Sequence, residues 1–330
     1  MEPRPLAPWQ QQRLDAALAA WRAGRLGHAQ LLCGPEAIGK RAVAEALTAR
    51  LLCEAAPALP ACGQCRSCRL LAAGSHPDFR LVTFEVNENT DKLRRELVVE
   101  QVRALSGSMQ MTAQRGGAQV VLIDPADALN TAAANALLKT LEEPAPNRFL
   151  LLLSAEPQRL PATIRSRCQR LEFALPPRAE ALAWLEAGGH APARAAEALE
   201  AAAGHPGLAD AWLRGGGLAL REASLKEWAA VARGIASPLA TAQHWFAEPE
   251  TAPLRLRFVA DATLALARAA AGAPAPLGLT PPGDLDKLAQ WFDSLNRLRQ
   301  QLAAPLRHEL ALAGLLAEWR ALMATTETRR

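Results

Sequence analysis

The sequence predicts a mostly parallel α/β domain followed by two helical domains. Short apolar runs alternate with segments of helical character up to about residue 175. One of these runs, Val120–Ile123, ends on the carboxylate Asp124, at the position where open parallel sheets present their sites. Beyond Pro176-Pro177 the strand pattern stops and alanine-rich helical sequence takes over.

The bulk properties set limits. A chain of 330 residues can hold two or three domains with real cores. With 50% hydrophobic and 21% charged residues it reads as globular rather than disordered. The formal charge of +4 suits a phosphate-bearing partner but is a poor indicator of nucleic acid on its own. Met1–Pro8 lacks an apolar signal region, and no apolar run approaches the ~20 residues of a membrane span. The expectation is a cytoplasmic protein with no membrane partner.

Residues 1–26 read as an amphipathic helix, with Leu14, Leu18 and Trp21 at helical spacing. His28–Cys33 is a strand, and GPEAIGKR (Gly34–Arg41) leads from it into a helix over Ala42–Leu52. Arg80–Phe84 is a strand, the polar Asn87–Arg95 a loop, and Glu96–Met109 a helix with Leu97, Val98, Val102 and Leu105 on its face. Gln119–Ile123 is the strand that ends on Asp124. A helix over Asn130–Glu143 follows, stopped by Pro144. Phe149–Ser154 is a strand, Leu160–Arg165 a short helix and Leu171–Phe173 the last strand. Arg178–Ala203 is helical with a break at Gly188-Gly189, and Gly204–Gly207 punctuates it. The remaining helical region is interrupted at Gly215–Gly217 and Gly272–Asp284. Its Trp212, Trp228, Trp245, Trp291 and Trp319 read as packing anchors between helices rather than as a stacking platform for bases.

Two motifs carry chemistry. Strand, glycine loop and helix are the context of a phosphate loop, where backbone N–H groups of a helix N-terminus meet an anion. Gly34, Gly39 and Lys40 satisfy that pattern, but Arg41 stands where a Ser or Thr hydroxyl would hold Mg²⁺. A guanidinium cannot ligate a cation, so the loop reads as retained in shape and impaired in chemistry. The alternative is a strand–helix turn with no relation to nucleotides. The second motif is C-x8-C-x2-C-x2-C, formed by Cys53, Cys62, Cys65 and Cys68. Two short C-x2-C steps let sulfurs converge on one tetrahedral ion, which predicts structural Zn²⁺ with no open coordination position. Free thiols, or His76 replacing one cysteine, are the alternatives. Cys33 and Cys168 stand apart and read as core residues.

HAQLLCGPEAIGK, the four-cysteine insert, LNTAAANALLKTLEEP and LPATIRSRC occur in this order at these distances. Together they resemble the bacterial DNA polymerase III clamp-loader subunits of the AAA+ class. The resemblance is strong over residues 24–175, extends through GHPGLA (Gly204–Ala209), and beyond that holds only in helical character. It implies an AAA+ α/β domain of the P-loop NTPase type with a zinc knuckle over residues 1–177. A small helical lid over 178–207 and an all-α collar domain over 208–330 would follow. It also implies a hetero-pentameric ring with motor (tau/gamma) and delta subunits that loads a sliding clamp at primed DNA, with ATP bound by the partner.

The family contains ATP-hydrolysing motors and a non-hydrolysing subunit type, and the residues favour the latter. The motors end the sheet strand in Asp-Glu, close the phosphate loop with Lys-Ser/Thr, and carry a lid arginine. The matching positions here are Pro125, Arg41 and Gly207. Proline cannot orient or deprotonate water, so three parts of one ATPase site are missing. What remains is Arg167 in Ser166-Arg167-Cys168, which by resemblance acts as a finger in trans on a neighbour's phosphoryl group, with Ser166 and Cys168 setting its loop. A motor with an unconventional site, and a zinc-dependent DNA-binding regulator on an ATPase-like scaffold, are the competing readings.

Overall fold

The computed structural model describes residues 5–56, 60–87, 91–302, 304 and 306–327. It falls into two compact units, Met1–Ala211 and Trp212–Arg330. The first unit begins with α1 (Pro8–Arg22), β1 (Ala29–Cys33), α2 (Lys40–Leu52) and α3 (Arg66–Ala72). It continues through β2 (Phe79–Val82), β3 (Val86–Asn87), β4 (Lys92–Leu93), α4 (Val99–Gln110) and β5 (Gln119–Ile123). Next come α5 (Thr131–Glu142), β6 (Arg148–Ser154), α6 (Ala162–Arg165) and β7 (Gln169–Glu172). Helices α7 (Arg178–Ala187) and α8 (Pro192–Ala201) follow, and α9 (Pro206–Gly215) begins in the first unit and ends in the second.

Five strands form one parallel sheet in the order β2-β5-β6-β1-β7. Successive side chains of a strand point to opposite faces, and both faces here are covered. Val121, Ile123, Leu150 and Leu152 pack with Val102 and Leu105 of α4, Leu137 and Leu141 of α5, and Cys168. Val120, Leu122, Leu151 and Leu153 pack on the other side with Leu14 and Leu18 of α1, Val43 and Leu47 of α2, and Phe173. The mostly parallel sheet flanked by helices is therefore as expected. Cys33 and Cys168 both lie in that core.

Some boundaries differ from the sequence expectation. The first helix starts at Pro8, where a missing N–H costs nothing, and the Gln10 side chain accepts the Ala7 N–H at 3.0 Å. Residues 1–4 of the expected helix lie outside the described residues. The segment expected as a loop over Asn87–Arg95 contains a small antiparallel pairing, with Val86 opposite Leu93 and Asn87 opposite Lys92; residues 88–90 lie outside the described residues. Helix α4 starts at Val99 because Leu97 is engaged elsewhere. Its N–H donates to Ala128 O at 2.9 Å, and its carbonyl accepts from Asn130 N at 3.1 Å. These bonds pull Leu97 into a bridge beside Leu129.

The second unit contains α10 (Gly217–Ala232), α11 (Pro238–Ala247), α12 (Ala252–Ala269), α13 (Leu285–Gln301) and α14 (His308–Glu327). Trp228 and Trp319 stack with ring centroids 4.5 Å apart, and Trp291 lies 5.1 Å from Trp319. Trp212 meets Phe258 edge-on at 5.0 Å. All five expected tryptophan anchors are buried. Among the described residues, no helix is long and apolar enough to cross a membrane.

Candidate functional site

The loop after β1 and the end of β5 both lie at the carboxyl edge of the sheet, on either side of β6. Gly34 and Gly39 have φ of 147° and 97°, values that favour glycine. A Cβ at Gly34 would overlap the Phe173 carbonyl oxygen, and one at Gly39 would overlap the Gln10 amide. Trp9 Nε1 and Gln10 Nε2 both donate to Ile38 O, at 3.0 and 3.1 Å. The loop is thus held by side chains of α1.

Lys40 is buried, and its ammonium donates to the carbonyls of Gly34 and Pro35, each at 2.6 Å. Burial pushes its pKa below the ordinary lysine range, with Asp127, Glu36 and Asp124 opposing that shift. Arg41 reaches across to the strand end. Its Nε and a terminal nitrogen approach the same Asp124 oxygen at 2.7 and 2.5 Å. The carboxylate that closes β5 is therefore paired with the guanidinium of Arg41. The bond from Asp124 to Pro125 is cis. Asp127 accepts from Ser154 Oγ, Ala155 N and Glu156 N at 2.8–2.9 Å, so one of its oxygens is fully engaged in bracing the loop after β6. At the first turn of α9, a Cβ on Gly207 would overlap the Ala37 carbonyl oxygen. Lys40, Arg41, Asp124, Asp127, Glu156 and Gly207 line a cleft of ≈ 680 Å³.

The four-cysteine cluster is assembled by the end of α2 and the start of α3. The four sulfurs lie within 4.8 Å of one another, with Cys53–Cys62 at 3.6 Å and Cys65–Cys53 at 3.9 Å. Tetrahedral zinc with bonds of about 2.3 Å requires sulfurs about 3.8 Å apart, so the donor set fits. Backbone N–H groups of Ala55 and Cys62 point at Cys53 Sγ, that of Cys65 at Cys62 Sγ, and that of Cys68 at Cys65 Sγ, at 3.3–3.4 Å. Such donors favour thiolates. His76 is not among the grouped ligands: its Nδ1 accepts the Asp78 N–H at 3.1 Å.

Ser166, Arg167 and Cys168 form the turn from α6 into β7. Cys168 is buried, and burial pushes its thiol up to about 11. Ser166 Oγ donates to Thr163 O at 3.1 Å, which ties the turn to the start of α6. Arg167 stands outside. One terminal nitrogen donates to Thr163 O at 3.1 Å, and the other contacts Glu142 Oε1 at 2.8 Å. The Gly34–Arg41 loop and Arg167 belong to separate places on the unit, since Arg167 is not among the residues lining the cleft.

A family model described as DNA polymerase III, delta subunit, matches residues 9–177. The DNA polymerase III subunit delta' of Pseudomonas aeruginosa is 40% identical over 337 residues, covering 96% of this chain and 97% of that one. The chain belongs to the DNA polymerase III delta-prime family. The delta' subunit of Escherichia coli is 37% identical, over 86% of this chain and 82% of its own length. The Escherichia coli tau subunit is 37% identical over 50% of this chain and 24% of tau. Among solved structures, a gamma subunit-related protein of Thermotoga maritima is similar at TM-score 0.49 and 16% identity, over 94% of this chain and 99% of that one.

In this delta-prime family member, the supports of the cysteine cluster were not apparent from sequence. Arg50 is buried and donates to the carbonyls of Cys53, Ala55 and Pro60, at 3.2, 2.7 and 3.2 Å. Glu54 bridges Arg115 at 2.6 Å and Ser67 at 3.1 Å, and Asp78 accepts the N–H groups of Gln114 and Arg115. The only available signal was that Arg50 and Glu54 flank Cys53 in sequence.

Proposed function

We propose that this chain is the non-hydrolysing stator of a clamp loader. It docks beside a motor subunit, supplies Arg167 in trans to that neighbour's ATP, and helps the ring load a sliding clamp onto primed DNA in the cytoplasm. The ring is a hetero-pentamer with motor (tau/gamma) and delta subunits. Residues 1–177 act as the AAA+ domain, 178–207 as the lid and 208–330 as the collar. The cysteine cluster holds one structural Zn²⁺.

The observation that carries this reading is the Arg41–Asp124 pair. A guanidinium placed on the strand-end carboxylate takes the charge that Mg²⁺ would otherwise meet, and it offers no ligand in exchange. Pro125 supplies no base for water. Gly207 leaves no space for a lid arginine against Ala37. Membership in a family named for delta', with nearly full-length coverage, supports the same assignment. Arg167 keeps the fork that binds phosphate oxygens and stays charged at all working pH values.

Reconstitution tests it. Arg167→Ala should assemble into the ring yet depress clamp- and DNA-stimulated ATP turnover; fingers in GTPases contribute ~10³–10⁵. Unchanged turnover would remove the role given to Arg167. Separately, the isolated chain should show no ATP hydrolysis. Activity that disappears in Lys40→Ala would make it a motor instead.

A further inference from the structure

Helix α5 ends on two acids, Glu142 and Glu143. A carboxylate in the last helical turn opposes the helix dipole, so the charge of Glu142 gains nothing from its own helix. Its carboxylate instead meets Arg167, 2.8 Å away, on a separate turn. The pair is open to solvent, with the Arg167 and Glu142 side chains 38% and 50% exposed. Exposed pairs add little to stability, so the value of this one lies in geometry.

That geometry is specific. Arg167 is pinned at two corners: one terminal nitrogen on the Thr163 carbonyl and the other on Glu142. A guanidinium carries five N–H donors, and these two contacts leave the remainder of its fork for an anion. A long exposed side chain otherwise loses considerable rotamer freedom when it binds. The base of the arrangement is rigid. Cys168 is buried beneath the turn, and Leu141, next to Glu142, lies in the same core cluster.

We infer that Glu142 is a positioning residue for Arg167. It holds the guanidinium as a preformed fork facing the triphosphate of a nucleotide bound by a neighbouring subunit. This rests on the reading of Arg167 as a finger in trans. Glu142 touches no phosphate itself, because its charge would repel one. Its effect falls on the transition-state contact of Arg167 and not on nucleotide affinity.

The test uses the reconstituted ring with clamp and primed DNA, measuring ATP turnover across ATP concentrations. Glu142→Ala and the isosteric Glu142→Gln should lower kcat roughly three- to thirtyfold with KM unchanged, short of the hundredfold that about 1 Å of misplacement can cost. In an Arg167→Ala background, Glu142→Ala should have no further effect, since residues acting as a unit are not additive. If both Glu142 variants turn over at the wild-type rate while Arg167→Ala is depressed, the role of Glu142 is wrong and the finger stands. If Glu142→Ala costs the same factor in both backgrounds, its role is merely structural and the inference falls. If Arg167→Ala itself is silent, the finger reading fails first. Should Glu142→Ala not assemble, Glu142→Gln decides between these outcomes.

Discussion

At the residue scale, Gly207 has room for a hydrogen and nothing larger, because a Cβ would overlap the Ala37 carbonyl oxygen. Gly207→Ala must push the first turn of α9 off the Gly34–Arg41 loop. Overpacking of this kind costs about 1–3 kcal/mol, readable as a lowered denaturant midpoint. An unchanged midpoint would mean that the loop gives way freely. Cys168 makes a second prediction through its pKa. The folded thiol is raised to about 11 from 9.0 by burial, so the unfolded chain ionises first as pH rises. The stability it contributes is whole below pH 9 and is lost between about pH 9 and 11. The total is up to about 3 kcal/mol, at 1.36 kcal/mol per unit. Cys168→Ala should therefore unfold less steeply over that pH interval than wild type, and parallel curves would refute it. The sequence showed Arg41, Pro125 and Gly207 as unusual residues. It could not show that Arg41 reaches Asp124, because 83 positions separate them and only the fold joins α2 to the end of β5.

At the element scale, legibility followed burial. Strands β1 and β5 are buried throughout, and β6 is buried beyond its first residue, so each reads as a mainly apolar run, interrupted by Gln30 in β1 and by polar residues at the ends of β5 and β6. Strands β2 and β7 are the two sheet edges and keep exposed residues, which blurred their limits. The β3–β4 pairing was invisible, since two residues per strand give no alternation to detect. The cysteine knuckle was legible from spacing alone, but its support from Arg50 was not. Arg50 collects three carbonyls of the knuckle segment from the end of α2. Arg50→Ala would leave those carbonyls short of donors and loosen the frame that aims Cys53. Loss of such supporting contacts typically costs 10–100-fold in metal affinity. Chelator competition should show a drop of that order for Arg50→Ala, and an unchanged affinity would make Arg50 irrelevant to the cluster.

At the scale of the whole molecule, the proposed lack of hydrolysis rests on residues of three elements, and each of them is packed into its surroundings. At the start of α2, Arg41 is paired with Asp124, and Lys40 is held by two loop carbonyls. At the end of β5, Asp124 is followed by Pro125, whose side chain cannot accept a proton. At the start of α9, Gly207 abuts the loop. A double change, Arg41→Thr with Pro125→Glu, restores a magnesium ligand and a base on paper. It leaves the lid position blocked, because an arginine at Gly207 would have to displace the Ala37 backbone. Electrostatic clamping of the developing phosphoryl charge is the dominant part of this chemistry, and without it a positioned water gains little. Phosphate release by the isolated double variant should therefore stay at the background of the wild-type chain. Turnover above that background, abolished by adding Lys40→Ala, would show that two local repairs suffice. That outcome would overturn the proposal that the packing of three elements against one loop excludes hydrolysis.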